Sequence, residues 1–150
     1  MRKQLFVSGA IISLLALIAI AGAACGSGSQ PTTENPVIGK VIKTGPAGNG
    51  LTVTLSSDTG TLKSGEQEIY LAFTDASGKP VDVGSVSFNN RMPAMGSMAE
   101  MNNAATLTTT GTPGVYRGKI DVEMAGEWQS QIAYEGPAGK GKATLSVTAR

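Results

Sequence analysis

The sequence predicts an all-β domain, an antiparallel two-sheet sandwich of about seven strands, from three observations. From Leu51 onward apolar and polar residues alternate in short runs, the period-two pattern of half-buried strands. Clusters of Gly, Pro, Asn, Asp and Ser separate those runs at regular spacing, as they do in small sandwiches. After residue 24 no segment carries a convincing helical period. One domain's worth of chain with this pattern points to a sandwich of immunoglobulin type, and the single cysteine excludes the disulfide that often joins its sheets.

The chain opens with Met1-Arg2-Lys3-Gln4, a positively charged start, followed by an apolar run from Leu5 to Ala24. Residues 1–24 therefore read as a signal peptide, although the run is also long enough to serve as an uncleaved anchor. Small residues, Ala21-Gly22-Ala23-Ala24, lead into Cys25, and Gly26-Ser27-Gly28-Ser29-Gln30 follows as a flexible tether. This arrangement resembles a bacterial lipoprotein signal, in which Cys25 becomes the lipidated first residue. Gly22 stands where such signals usually carry Leu. Cleavage after Ala23 as an ordinary secreted protein fits the same small residues, and both routes place the domain outside the cytoplasm. Residues 25–36, rich in Pro and small polar side chains, form the spacer, and residues 37–150 form the sandwich domain.

Val37 to Lys43 is a candidate edge strand, and Thr44-Gly45-Pro46-Ala47-Gly48-Asn49-Gly50 is turn chemistry throughout. Leu51, Val53 and Leu55 then share one face of a strand. Ile69, Leu71 and Phe73 share the next, before the turn Ala76-Ser77-Gly78-Lys79-Pro80. Val81, Val83, Val86 and Phe88 make a run with a bulge expected at Gly84, where the alternation changes phase. Later strands cover Ala104 to Thr110, Val115 to Val122, Glu127 to Tyr134 and Gly141 to Ala149. Glu123-Met124-Ala125-Gly126 is a corner, and Gly136-Pro137-Ala138-Gly139 closes a hairpin.

One stretch stands apart. In Met92-Pro93-Ala94-Met95-Gly96-Ser97-Met98-Ala99-Glu100-Met101 four methionines recur at intervals of three. A strand with that period scatters its side chains over both faces, and Pro93 and Gly96 disfavour a helix. A loop or polyproline-like segment, which turns once in three residues, brings Met92, Met95, Met98 and Met101 to one side. Thioethers are soft ligands, suited to Cu(I) and Ag(I) and indifferent to Mg, Ca or Mn. The bland alternative is hydrophobic packing or an adaptable docking surface. Met124 is a candidate fifth thioether if its corner lies beside the segment. Trp128 is most cheaply a core anchor, and its functional alternative is an aromatic lid over a metal ion.

In order along the chain, Ser64-Gly65-Glu66, Asp75-Ala76-Ser77-Gly78-Lys79-Pro80-Val81, Met92-Pro93-Ala94-Met95, Gly114-Val115-Tyr116 and Met124-Ala125-Gly126-Glu127-Trp128 together resemble the YtkA-like domain family of exported bacterial proteins. The resemblance runs from about Leu51 to Val147. It implies an immunoglobulin-like sandwich, often on a lipoprotein or membrane-anchored chain and sometimes associated with heavy-metal export. Many members carry a histidine after the second methionine of the Met-Pro-x-Met signature. This chain has no histidine, which removes the ligand best suited to Cu(II) or zinc and leaves thioethers alone.

The same absence leaves hydrolytic and acid-base chemistry little to stand on, since the acids are scattered over turns and polar faces. Asp121 and Glu123 share a strand face and read as solvated edge charges. Without Arg2 and Lys3, ten basic residues stand against eleven acidic ones, a net charge of −1 for the exported part. That balance offers no footprint for nucleic acid and no polybasic patch for lipid heads. The expectation is a non-enzymatic cell-envelope domain, held to a membrane through lipid on Cys25. The expected function is copper handling at a Met-rich loop, beside a metal-transport or other membrane partner. The alternative is an accessory interaction module of a membrane complex with no metal of its own; a sacrificial or regulatory Met-oxidation surface carries the least weight.

Overall fold

A computed structural model of the chain describes residues 36–150. The signal peptide, Cys25 and nearly all of the tether lie outside the described residues. Eight strands follow one another: β1 (Lys40–Gly48), β2 (Leu51–Ser57), β3 (Gly65–Thr74), β4 (Ser85–Met92), β5 (Met101–Thr109), β6 (Val115–Val122), β7 (Gly126–Gly136) and β8 (Gly139–Ala149). All the ladders are antiparallel, in the spatial order β1-β2-β3-β6-β5-β4-β7-β8.

β5 makes two layers out of this one nearly closed sheet. Its first half, Met101 to Ala105, pairs with β4, and its second half, Thr106 to Thr109, pairs with β6. One layer is then β2-β3-β6-β5 with β1 on its edge, and the other is β4-β7-β8. That is the four-plus-three arrangement of an immunoglobulin constant-type sandwich with one added edge strand. Across the open side β1 meets β8 through side chains: a Cβ built on Gly45 would lie 2.6 Å from Leu145 Cδ2. Asn49, in the β1–β2 turn, donates to the Lys140 carbonyl oxygen (2.9 Å) and the Tyr134 hydroxyl (3.2 Å).

The alternation read from the sequence fills the interior. Val53, Leu55, Ile69, Leu71 and Phe73 from one layer and Phe88, Trp128, Ile132, Leu145 and Val147 from the other are buried. Phe73 packs edge-on against Tyr116 and Tyr134, at centroid distances of 5.8 and 5.4 Å. The Tyr116 hydroxyl donates to the Gly84 carbonyl oxygen at 2.9 Å, which ties β6 to the approach of β4. Asp75 closes its turn by accepting from the Ser77 amide (2.8 Å), the Ser77 hydroxyl (2.6 Å) and the Lys79 amide (3.0 Å). Those bonds, the Ser77 hydroxyl first, hold its carboxyl below the ordinary range.

Three elements differ from the sequence expectation. Thr44 to Gly48 is strand, because β1 is an edge whose register shifts at Val41/Lys43 and Pro46/Gly48 absorb the proline. The run from Val81 becomes strand only at Ser85. Before it Val83 is buried while the backbone connects, with Val81 N–H donating to the Phe73 carbonyl oxygen at 2.9 Å. The methionine segment is not a polyproline helix: it is the loop that joins β4 to β5, closed at its tip as a tight hairpin turn.

Candidate functional site

β4 ends at Met92 and β5 begins at Met101. Between them Met98 N–H donates to the Met95 carbonyl oxygen (2.9 Å) and Met95 N–H to that of Met98 (3.2 Å). Gly96, the first of the two residues so enclosed, has φ 59°, the left-handed value that a two-residue II′ hairpin turn asks of its first position. The chain folds back between Gly96 and Ser97, so residues equidistant from that point face each other. Met92 pairs with Met101 at the base and Met95 with Met98 at the tip, in one continuous register from Phe88/Ala105 outward. The interval of three is the signature of two nested cross-strand pairs.

Those pairs stand in different surroundings, so the thioethers do not form the single face expected. Met92 is 2 % exposed and belongs to the core, whereas Met95 and Met98 are 51 % and 39 % exposed. Met101 and Met124 are half-buried against the core. One residue beyond the last β4–β7 pair, Arg91 with Gln129, the same register sets Met92 beside Trp128. The end of Met92 lies where a side chain at residue 126 would stand: a Cβ there would be 2.8 Å from Met92 Cε. Gly126 supplies that space at φ 146°.

Trp128 is 1 % exposed, and its indole N–H donates to the Met124 carbonyl oxygen at 3.1 Å. A lid needs a ring face open to an arriving ion. Trp128 has none: it is the core anchor first expected, and the alternative of a lid does not hold. The two sequence elements Met-Pro-x-Met and Met-x-Gly-x-Trp thus interlock. Met92 fills the space left by Gly126, and Trp128 fixes the backbone of the corner carrying Met124.

On the flank of the hairpin the Arg91 guanidinium meets the Glu100 carboxylate at 2.5 Å. Asn102 Nδ2 donates to Glu100 at 2.8 Å, and Asn89 Nδ2 donates to Asn102 Oδ1 at 3.1 Å. Arg91 first and Asn102 second hold the Glu100 carboxyl down to about 2. That carboxylate is committed to its neighbours. Among the described residues no three His, Cys, Asp or Glu side chains stand together as a metal cage. The chemistry open to the tip is that of two neutral sulfurs able to take a soft monovalent ion without releasing a proton.

Sequence reasoning missed a polar row inside the sandwich. Asn103, Asn90 and Ser130 are cross-strand neighbours on β5, β4 and β7, and Asn90 and Ser130 are fully buried. The Ser130 hydroxyl donates to Asn90 Oδ1 at 2.9 Å, while Asn90 Nδ2 and Asn103 Nδ2 have no protein partner. The signal was present in the phase of Phe88-x-Asn90-x-Met92, which turns Asn90 inward.

No curated protein matches the chain. The YtkA-like family model matches residues 47–133, a stretch that takes in the methionine hairpin, the Gly114–Tyr116 element and the Met124–Trp128 corner. On that match the chain belongs to the YtkA-like family.

Proposed function

We propose that this chain is a non-enzymatic domain of the bacterial cell envelope that captures monovalent copper at the tip of its methionine hairpin. Met95 and Met98 are the first ligands. Met101 and Met124 are half-buried against the core, and Met92 anchors the hairpin in it. The observation that carries this reading is the exposed cross-strand pair. Large apolar side chains are exposed among the described residues only at Ile38, Val41, Met95 and Met98, and two of those four are soft ligands set opposite each other. The leader, the lipid on Cys25 and the tether would hold the domain at a membrane, where a metal-transport complex is the fitting partner.

The test is an anaerobic Cu(I) titration of the purified protein against a competing chelator, with Ag(I) in parallel. Sub-micromolar, one-to-one binding, equal from about pH 5 to pH 7 because thioethers need no deprotonation, supports copper handling. No Cu(I) affinity across that range removes it.

The exposure of Met95 and Met98 next to Pro93 also favours a second reading, an accessory module docking a membrane partner through an adaptable apolar tip. Met95→Leu with Met98→Leu separates the two. Leucine keeps size and hydrophobicity but cannot ligate a metal, so the second reading retains partner capture where the first loses copper.

A further inference from the structure

Among the methionines of the domain only Met95 and Met98 combine high exposure with a mutual backbone pairing that leaves their side chains out of the core. The bonds that close the tip are Met95 N–H to Met98 O and Met98 N–H to Met95 O, main chain to main chain. The hairpin is held from below by Met92 against Gly126 and from its flank by Arg91 with Glu100. A change in the chemistry of the two outer sulfurs therefore leaves the fold's supports in place.

We infer that Met95 and Met98 form a reversible oxidation switch on the hairpin, which turns its soft-metal site off without unfolding the domain. The oxidant class is a two-electron oxidant that transfers an oxygen atom, such as hydrogen peroxide. The thioether sulfur attacks the peroxide oxygen, the O–O bond breaks, an S–O bond forms, and after proton transfer water leaves. Sulfur is oxidised and peroxide reduced. The product presents a hard, polar oxygen in place of a soft lone pair, which disfavours Cu(I). A thiol-dependent sulfoxide reductase reverses the step, two thiols giving one disulfide and water. Met92, sealed in the core, is protected by the exposure rule that makes the outer pair reactive. The metal arm of this inference rests on the copper reading; the order of oxidation does not.

The experiment is graded peroxide treatment of the purified protein, followed by peptide mass mapping, thermal unfolding and Cu(I) titration on the same samples. Met95 and Met98 should oxidise at least about tenfold faster than Met92, as susceptibility follows exposure. The thermal midpoint should hold at the point where both are sulfoxides, Cu(I) affinity should fall at least about tenfold, and enzymatic reduction should restore it. Met92 oxidising alongside Met95, unfolding on oxidation of the outer pair, or unchanged copper affinity in the oxidised protein would each overturn the switch. A reduced protein that binds no Cu(I) sinks the copper reading and the metal arm together, and the mapping still reports whether the outer pair is selectively oxidised.

Discussion

Met92→Ala decides whether the first methionine of the hairpin belongs to the core or to the metal. Its side chain is 2 % exposed, with the terminal methyl against the space left by Gly126. Truncation removes Cγ, Sδ and Cε from a close-packed interior, which for a buried methionine costs about 2–5 kcal/mol. For a domain of this size each kcal/mol moves the thermal midpoint by about 4 °C, so a drop of about 8–20 °C is expected. The same truncation at Met95, 51 % exposed, should change stability by no more than about 0.5 kcal/mol. Thermal unfolding followed by near-ultraviolet circular dichroism suits the comparison, because the one tryptophan, Trp128, lies alongside Met92 and reports that part of the core. Equal shifts for the two variants would refute the division of the hairpin into a buried base and an exposed tip. Met92→Leu is the companion. It should cost under about 1.5 kcal/mol and leave copper affinity unchanged, and a folded Met92→Leu protein that has lost copper would make Met92 a ligand.

Gly126→Ala should destabilise by about 1–3 kcal/mol, since alanine must adopt φ 146° and push Met92 aside; a urea midpoint shift equivalent to less than about 0.5 kcal/mol would contradict that packing. Asn90→Leu combined with Ser130→Ala replaces a buried polar pair and removes an amide donor whose lack of a protein partner costs about 1–3 kcal/mol, so the double variant should be as stable as wild type or more so. Ser130→Ala alone strips Asn90 Oδ1 of its donor and should be worse than the double change by chemical denaturation. The Glu100 carboxyl lies below its ordinary 4.5, at about 2, so its contribution is present above about 4.5 and fades as pH falls through 2. Carbon-detected NMR titration should place its midpoint there and return it toward 4.5 in Arg91→Gln; an unmoved midpoint would dismiss Arg91 as the cause.

Most of the sandwich was legible because alternation is a local property. Leu51-x-Val53-x-Leu55 or Trp128 to Tyr134 states its buried face wherever the strand finally pairs. Thr44 to Gly48 was not legible, because the contacts that keep it extended, Gly45 beside Leu145 and the pairing with β2, are distant in sequence, while its glycines and proline signal a turn locally. The methionine segment shows a different failure. Asking which single helix or strand has a period of three assumes that the chain does not fold back, whereas a reversal at Gly96-Ser97 converts the period into paired positions. Which pair is buried was beyond local reading altogether, since Met92 is covered by a corner more than thirty residues later. The inward phase of Asn90 was readable; its pairing with Ser130 depends on the β4–β7 register.

The most direct measurement is a competitive, anaerobic Cu(I) titration of wild-type protein beside the Met95→Leu/Met98→Leu variant, whose fold is first verified by its thermal midpoint. Sub-micromolar binding by wild type, lost or weakened at least about a hundredfold in the variant, is the expected result for two soft ligands replaced by none. Equal affinity in the two proteins, or no affinity in either, would contradict a copper site at the hairpin tip.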